Sequence, residues 1–165
     1  MIEAGRKLDM ADIEKDPFVM FNKKYDPWFN LFMCFIFPAL VAKSLWNESL
    51  ITSFFVAGCL RYVLVLHNTW VVNSAAHLYG SRPYDEKINP SENRLVAFLS
   101  VGEGWHNWHH KFPYDYAASE YGISIQFNPT KLFIDTCAYF GLVTNRKRGL
   151  TAWKSLNEKR IKAEE

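Results

Sequence analysis

Apolar and polar residues are segregated in long blocks along this chain. Residues 1–26 are polar and mixed in charge. Their run Leu8-Asp9-Met10-Ala11-Asp12-Ile13, followed by Asp16-Pro17, predicts a short helix that stops before Pro17. Over residues 27–46 the only charge is Lys43, and over residues 49–72 the only charge is Arg61. Each stretch supplies the roughly 20 apolar residues that a helix needs to cross a bilayer. Only Asn47-Glu48 lies between them, so a tight helical hairpin over residues 27–72 is expected. The competing reading is a soluble protein with two buried helices; two such stretches back to back count against it.

Residues 73–144 return to mixed polarity. Residues 80–85 and 89–93 are rich in turn formers. Ser91-Glu92-Asn93 reads as the capped start of a helix through residues 95–99. Phe112-Pro113-Tyr114 breaks the local pattern, and Asn128-Pro129-Thr130 opens a last apolar helix over residues 131–143, expected to lie on the rest of the domain. Residues 145–165 form a basic tail with the composition of a solvated helix, which beside a membrane can also touch anionic lipid. The expected fold class is an all-α membrane protein: a transmembrane helical hairpin followed by a cytosolic helical region.

Charge sets the expected orientation. Lys23 and Lys24 precede the hairpin, Arg82 and Lys87 follow it, and the turn carries no basic residue. Positive residues favour the cytosolic side, so both ends are expected in the cytosol. Asn47-Glu48-Ser49 matches a glycosylation sequon, but so short a turn holds the asparagine against the membrane, out of an enzyme's reach. Arg61, costly inside a membrane helix, is expected to face protein or a water-filled cavity. The net charge of +2 gives no reason to expect nucleic acid as a partner, and 16% aromatic residues suit a chain at a lipid interface. Cys34, Cys59 and Cys137 are scattered, which argues against a disulfide framework. The polar first residues lead to the expectation of no secretory signal peptide.

The candidate chemistry lies in the histidines. Three of the five, His106, His109 and His110, fall within five residues, and His77 stands at the end of the second apolar stretch. On a helix, spacings of three and four place side chains on one face. Neutral imidazole is a strong ligand for iron, zinc and copper. A hydrolytic zinc site would show His-Glu-x-x-His, which is absent. A carboxylate-bridged di-iron bundle needs two Glu-x-x-His motifs, and Glu103-Gly-Trp-His106 is the single copy. A histidine-rich iron centre in a membrane enzyme fits His77, His106, His109 and His110 best. Glu103, Asp115 and Glu120 flank the cluster and are candidates to orient the imidazoles.

These residues carry a family resemblance. His106-Asn-Trp-His109-His110 resembles the third histidine box of membrane fatty acyl-CoA desaturases of the stearoyl-CoA type. Thr69-Trp70-Val-Val-Asn73-Ser-Ala-Ala-His77, Arg82-Pro-Tyr-Asp85, Gly102-Glu-Gly104 and Phe112-Pro-Tyr-Asp-Tyr116 resemble its surroundings in that family. Lys7-Leu-Asp-Met10 and Val19-Met-Phe21 resemble the stretch between its second box and third membrane helix. The resemblance implies an endoplasmic reticulum enzyme with two irons. Such an enzyme uses oxygen and electrons from cytochrome b5 to place a cis double bond in a fatty acyl-CoA, for unsaturated fatty acid biosynthesis. It implies iron ligation by His77, His106, His109 and His110, with Asn73 holding metal through water. Thr69 and Trp70 match positions at the bend of the acyl tunnel. His67 matches no ligand position and is expected to pack or lie at the interface.

The family's first two histidine boxes have no counterpart in these 165 residues. The chain therefore reads as the C-terminal half of an acyl-CoA desaturase, expected to be unable to desaturate as it stands. Two alternatives stay open: a non-catalytic membrane partner of a full-length desaturase, and part of a membrane di-iron hydroxylase.

Overall fold

A computed structural model describes residues 10–164. The expected helix start at Leu8-Asp9 and the resemblance over Lys7-Leu-Asp lie outside the described residues. The chain divides into two compact units, with the break after Val65.

In the first unit, α1 (Ala11–Glu14) ends before Pro17, as the proline requires. Pro17 then opens a further helix, α2 (Pro17–Tyr25), that the sequence reading did not include. The Asp16 carboxylate accepts from the amides of Phe18 at 2.8 Å and Val19 at 3.3 Å. The Asp-Pro pair thus works as cap and first helical residue together.

Two long helices follow: α3 (Trp28–Trp46) and α4 (Leu50–Leu78), each apolar and long enough to cross a membrane. Asn47 turns the chain with φ 53°, a left-handed conformation that asparagine tolerates. The Ser49 hydroxyl accepts from the Thr52 amide at 3.1 Å and caps α4. Each helix widens into a π-helical segment, Phe32–Ile36 in α3 and Phe54–Leu60 in α4. Arg61 donates to backbone oxygens in both segments, to Ala57 at 2.9 Å and across the hairpin to Cys34 at 2.5 Å. Its charge is therefore answered by carbonyls within the protein. The second helix does not end with its apolar run at residue 72; it continues to Leu78 and carries Asn73 and His77 with it.

The second unit is built on the last turns of α4. Val72 and Ala76 form a small core with Val96 of α5 (Arg94–Leu99). The intervening loop is tied to the end of α4: Ser91 donates from its amide to the Ala76 carbonyl at 2.7 Å, and Asn93 donates from Nδ2 to the Tyr79 carbonyl at 2.9 Å. Asn93 also caps α5, its side-chain oxygen accepting from the Val96 amide. Two glycines bring the chain from α5 to the histidines. A Cβ at Gly104 would lie 2.1 Å from the Ala97 nitrogen, and Gly102 has φ +115° with Asn128 against it.

The remaining helices are α6 (His106–Lys111), α7 (Pro129–Tyr139) and α8 (Leu150–Glu164). Asn128 caps α7 by accepting from the Lys131 amide at 2.8 Å. Among the described residues, strand-like pairing is limited to isolated bridges joining Glu92 to Ser81 and to Trp105.

Candidate metal centre

Helix α6 is oriented by the residues between its histidines. Asn107 is fully buried, and its side chain satisfies four backbone groups. Its oxygen accepts from the amides of Tyr84 at 2.9 Å and Asp85 at 3.1 Å, and its nitrogen donates to the carbonyls of Asp85 and Pro90, both at 2.9 Å. Trp108 is also fully buried, donating from Nε1 to Asp115 at 3.1 Å. With positions 107 and 108 turned inward, His106 and His110 lie along another side of α6, where they meet His77 of α4.

His106 Nε2 lies 3.0 Å from His77 Nε2 and 3.1 Å from His110 Nε2. The donor atoms of the three residues all fall within 4.8 Å of one another. His109 stacks on His106, with ring centroids 5.7 Å apart and planes 23° apart, but contributes no atom to this set. Asn73 lies one helical turn before His77 and is exposed. Trp70 is seven residues before His77, about two turns, so Trp70, Asn73 and His77 share one stripe of α4. Thr69 precedes Trp70, and the His67 ring stands 5.7 Å from that of Trp70.

The donor set fits a first-row metal ion. At an imidazole–metal distance of about 2.1 Å, donors at right angles lie about 3.0 Å apart, matching the two short separations. Burial pushes His106 down to about 4, with His110, His77 and His109 adding to the effect. His110 is lowered by burial and by its histidine neighbours. Both are neutral near pH 7, the state that ligates. His106 Nδ1 and His109 Nδ1 are buried with no hydrogen-bond partner, so the protein atoms described do not exhaust this cluster's polar capacity.

The flanking carboxylates serve the scaffold. Asp115 is buried and accepts from Trp108 Nε1, from the Ala117 amide and from the Gly149 amide. Glu120 accepts from the Tyr84 hydroxyl at 2.6 Å; burial and this carboxylate raise the Tyr84 pKa. Glu103 is exposed. No hydrogen bond from these three to a histidine is present among the described residues.

Three contributors escaped the sequence reading. Glu92 accepts from the Trp108 amide at 2.9 Å and so caps α6; burial raises its pKa to about 7. Asn107 sits inside the histidine motif, and that placement was the available signal. Arg148 lies in the expected solvated tail. It instead donates to the carbonyls of Ser119 and Glu120 and stands 3.6 Å from Asp115. Residues 146–149 thus strap onto the histidine region ahead of α8.

Known proteins resemble this chain over most of its length. The family model for fatty acid desaturases matches residues 7–121. Stearoyl-CoA desaturase 5 from Bos taurus and from Homo sapiens are each 52% identical over 148 residues, covering 90% of this chain and 44% of theirs. Acyl-CoA desaturase 3 from Mus musculus is 54% identical over 146 residues, covering 88% of this chain and 40% of its own. The chain spans less than half the length of these curated relatives. A family model over most of the chain and half-identical relatives, meeting at a cluster of converging imidazoles, establish that this chain belongs to the fatty acid desaturase family.

Proposed function

We propose that these residues form the C-terminal part of an acyl-CoA desaturase and hold iron through His77, His106 and His110. The observation that carries this is the convergence of three imidazole donors from two helices within 4.8 Å. His109, whose buried Nδ1 has no hydrogen-bond partner, would join the ligand set in the complete enzyme, and Asn73 would hold metal through water. Iron held by these histidines would supply the oxidising chemistry needed to desaturate an unactivated methylene. Oxygen and electrons from cytochrome b5 complete the reaction, which leaves a cis double bond in a fatty acyl-CoA.

The chain's own residues hold and orient. Asn107 and Trp108 set the rotation of α6, and Arg148 holds residues 115–120, which follow α6, through Ser119, Glu120 and Asp115. Trp70 and Thr69, about two turns before His77 on α4, are proposed to contact the acyl chain on its way to the metal. The setting is the endoplasmic reticulum membrane with both ends in the cytosol. The 165 residues alone bring too few imidazoles for two irons and are not expected to desaturate.

A chimaera tests this reading. These residues replace the matching segment of Bos taurus stearoyl-CoA desaturase 5, and iron content and acyl products are measured in desaturase-deficient cells. The chimaera is expected to bind iron and form unsaturated chains; the 165 residues alone form none. His106→Ala in the chimaera is expected to remove both iron and product. Product that persists in this variant overturns the assignment.

A further inference from the structure

We propose that Trp108, Tyr84 and Trp153 form an electron path that discharges oxidising equivalents from the histidine cluster to the surface at α8. This deepens the iron reading above and rests on it. All the residues involved lie in the second unit.

The path starts inside the histidine motif. Trp108 is fully buried, covalently next to His109 and two residues from both His106 and His110. The Tyr84 ring stands edge-on against it, with centroids 4.8 Å and planes 79° apart. Trp153 of α8 lies 5.1 Å from Tyr84 at 81°, and 6.5 Å from Trp108. The order runs outward, from a fully buried indole through a half-buried phenol to a half-buried indole.

Edge-to-face contacts are ordinary aromatic packing, and phenylalanine would supply them. Phe112 does so on another side of Trp108, at 4.6 Å. The three rings of the path are instead the two readily oxidised kinds, indole and phenol. Each gives up a proton when it loses an electron, and both inner rings have a carboxylate in place to take it. Trp108 Nε1 donates to Asp115 Oδ2 at 3.1 Å, and the Tyr84 hydroxyl donates to Glu120 Oε2 at 2.6 Å. An ionised carboxylate only accepts, so each pair is set to move its proton away from the ring.

A centre able to attack a methylene must be kept from oxidising its own surroundings when no substrate is bound. In the proposed sequence, a one-electron oxidant held by the histidines takes an electron from Trp108, and the Nε1 proton passes to Asp115. Tyr84 reduces Trp108, which recovers its proton, while the phenolic proton passes to Glu120. Trp153 reduces Tyr84, which recovers its proton in turn. A thiol in the solvent, oxidised to disulfide, restores Trp153.

Two measurements separate this proposal from the iron reading. The first contains no metal. The whole chain carries a ruthenium polypyridyl photo-oxidant on Asn157→Cys, one turn after Trp153 on α8, with Cys34, Cys59 and Cys137 changed to serine. Persulfate is the electron acceptor. Flash oxidation is expected to give a neutral tyrosyl radical in freeze-quenched EPR spectra. Tyr84→Phe is expected to abolish it, and Trp153→Phe and Glu120→Gln to slow its formation. No tyrosyl radical, or one unchanged in Tyr84→Phe, overturns the proposal. The second uses the iron-loaded chimaera, oxidised by hydrogen peroxide without acyl-CoA. The same radical is expected, and Tyr84→Phe is expected to abolish it while iron content stays. Iron bound with no radical at Tyr84 overturns the path and leaves the iron reading standing. No iron bound overturns the iron reading, and the path with it.

Discussion

Asn107 shows how much one buried side chain can fix. It occupies both capacities of its oxygen and both of its nitrogen on backbone groups of the loop that faces α6. Asn107→Ala leaves those four groups without their partner. Each buried unsatisfied group costs about 1–3 kcal/mol, and water entering the gap recovers part. A loss on the order of 3–5 kcal/mol is expected, read as a fall in the thermal midpoint in detergent. The proposed metal binding is expected to weaken as well, because His106 and His110 lose their orientation. A drop of about 10–100-fold in metal affinity is expected for such a supporting residue, measured by competition with a chelator.

Glu92 is the residue for a pH experiment. Burial raises its pKa from 4.5 to about 7. The folded state therefore holds a proton that the unfolded state releases between those values. Stability contributed at this position falls as pH rises from 4.5 and levels off above about 7. Glu92→Gln removes the titration and keeps an oxygen for the Trp108 amide. The variant's thermal midpoint is expected to fall less than the parent's between pH 5 and pH 8. The difference is on the order of 3 kcal/mol at most, from 1.36 kcal/mol per pKa unit. Parallel curves would refute it.

At the scale of elements, the strap and the hairpin behave differently from what their composition suggests. Residues 146–149 belong to a basic stretch, yet Arg148 and the Gly149 amide converge on the buried Asp115. Arg148→Ala leaves that carboxylate with no cation beside it. Breaking a buried pair from one side costs about 3–5 kcal/mol, and the partial exposure of Arg148 places this variant at or below the low end. Hydrogen exchange is expected to rise first in residues 115–120 and in α8.

In the hairpin, Arg61 ties the two π-helical segments together. Arg61→Leu removes both donors in an environment without water to replace them. A loss of about 1–3 kcal/mol is expected in the unfolding of α3 and α4, measured by steric trapping in bicelles. An unchanged value would mean that the π segments hold by packing alone.

At the scale of the whole molecule, the order of the elements was legible in the sequence and their lengths and faces were only partly so. The two apolar blocks, the turn at Asn47-Glu48, the Asn93 and Asn128 caps and the histidine spacing are local signals, each read within one turn of helix or one run of composition. Pro17 stops the helix before it and, with Asp16 as cap, also starts α2, a role that the proline alone does not signal. Helix α4 continues to Leu78, past its apolar run: hydropathy marks where a helix leaves lipid and is silent on where it stops being a helix. The surroundings of Asp135 in α7 depend on Tyr116 and Arg146, partners up to 19 positions away.

The sequence by itself determined the class and pointed to the candidate chemistry. Blocks of 20 apolar residues exclude most folds by the cost of exposing them to water, and a dense set of imidazoles selects metal chemistry by ligand type. Tertiary structure decided which histidines meet. His106 and His110 reach His77 across 29 and 33 residues, because Asn107 and Trp108 turn α6 and Val72, Ala76 and Val96 hold α4 beside α5. His109, with the same spacing signal, stacks beside the group. Spacing along a chain fixes only the angle of a side chain about its own helix. The distance between donors on two helices is set by what packs between them.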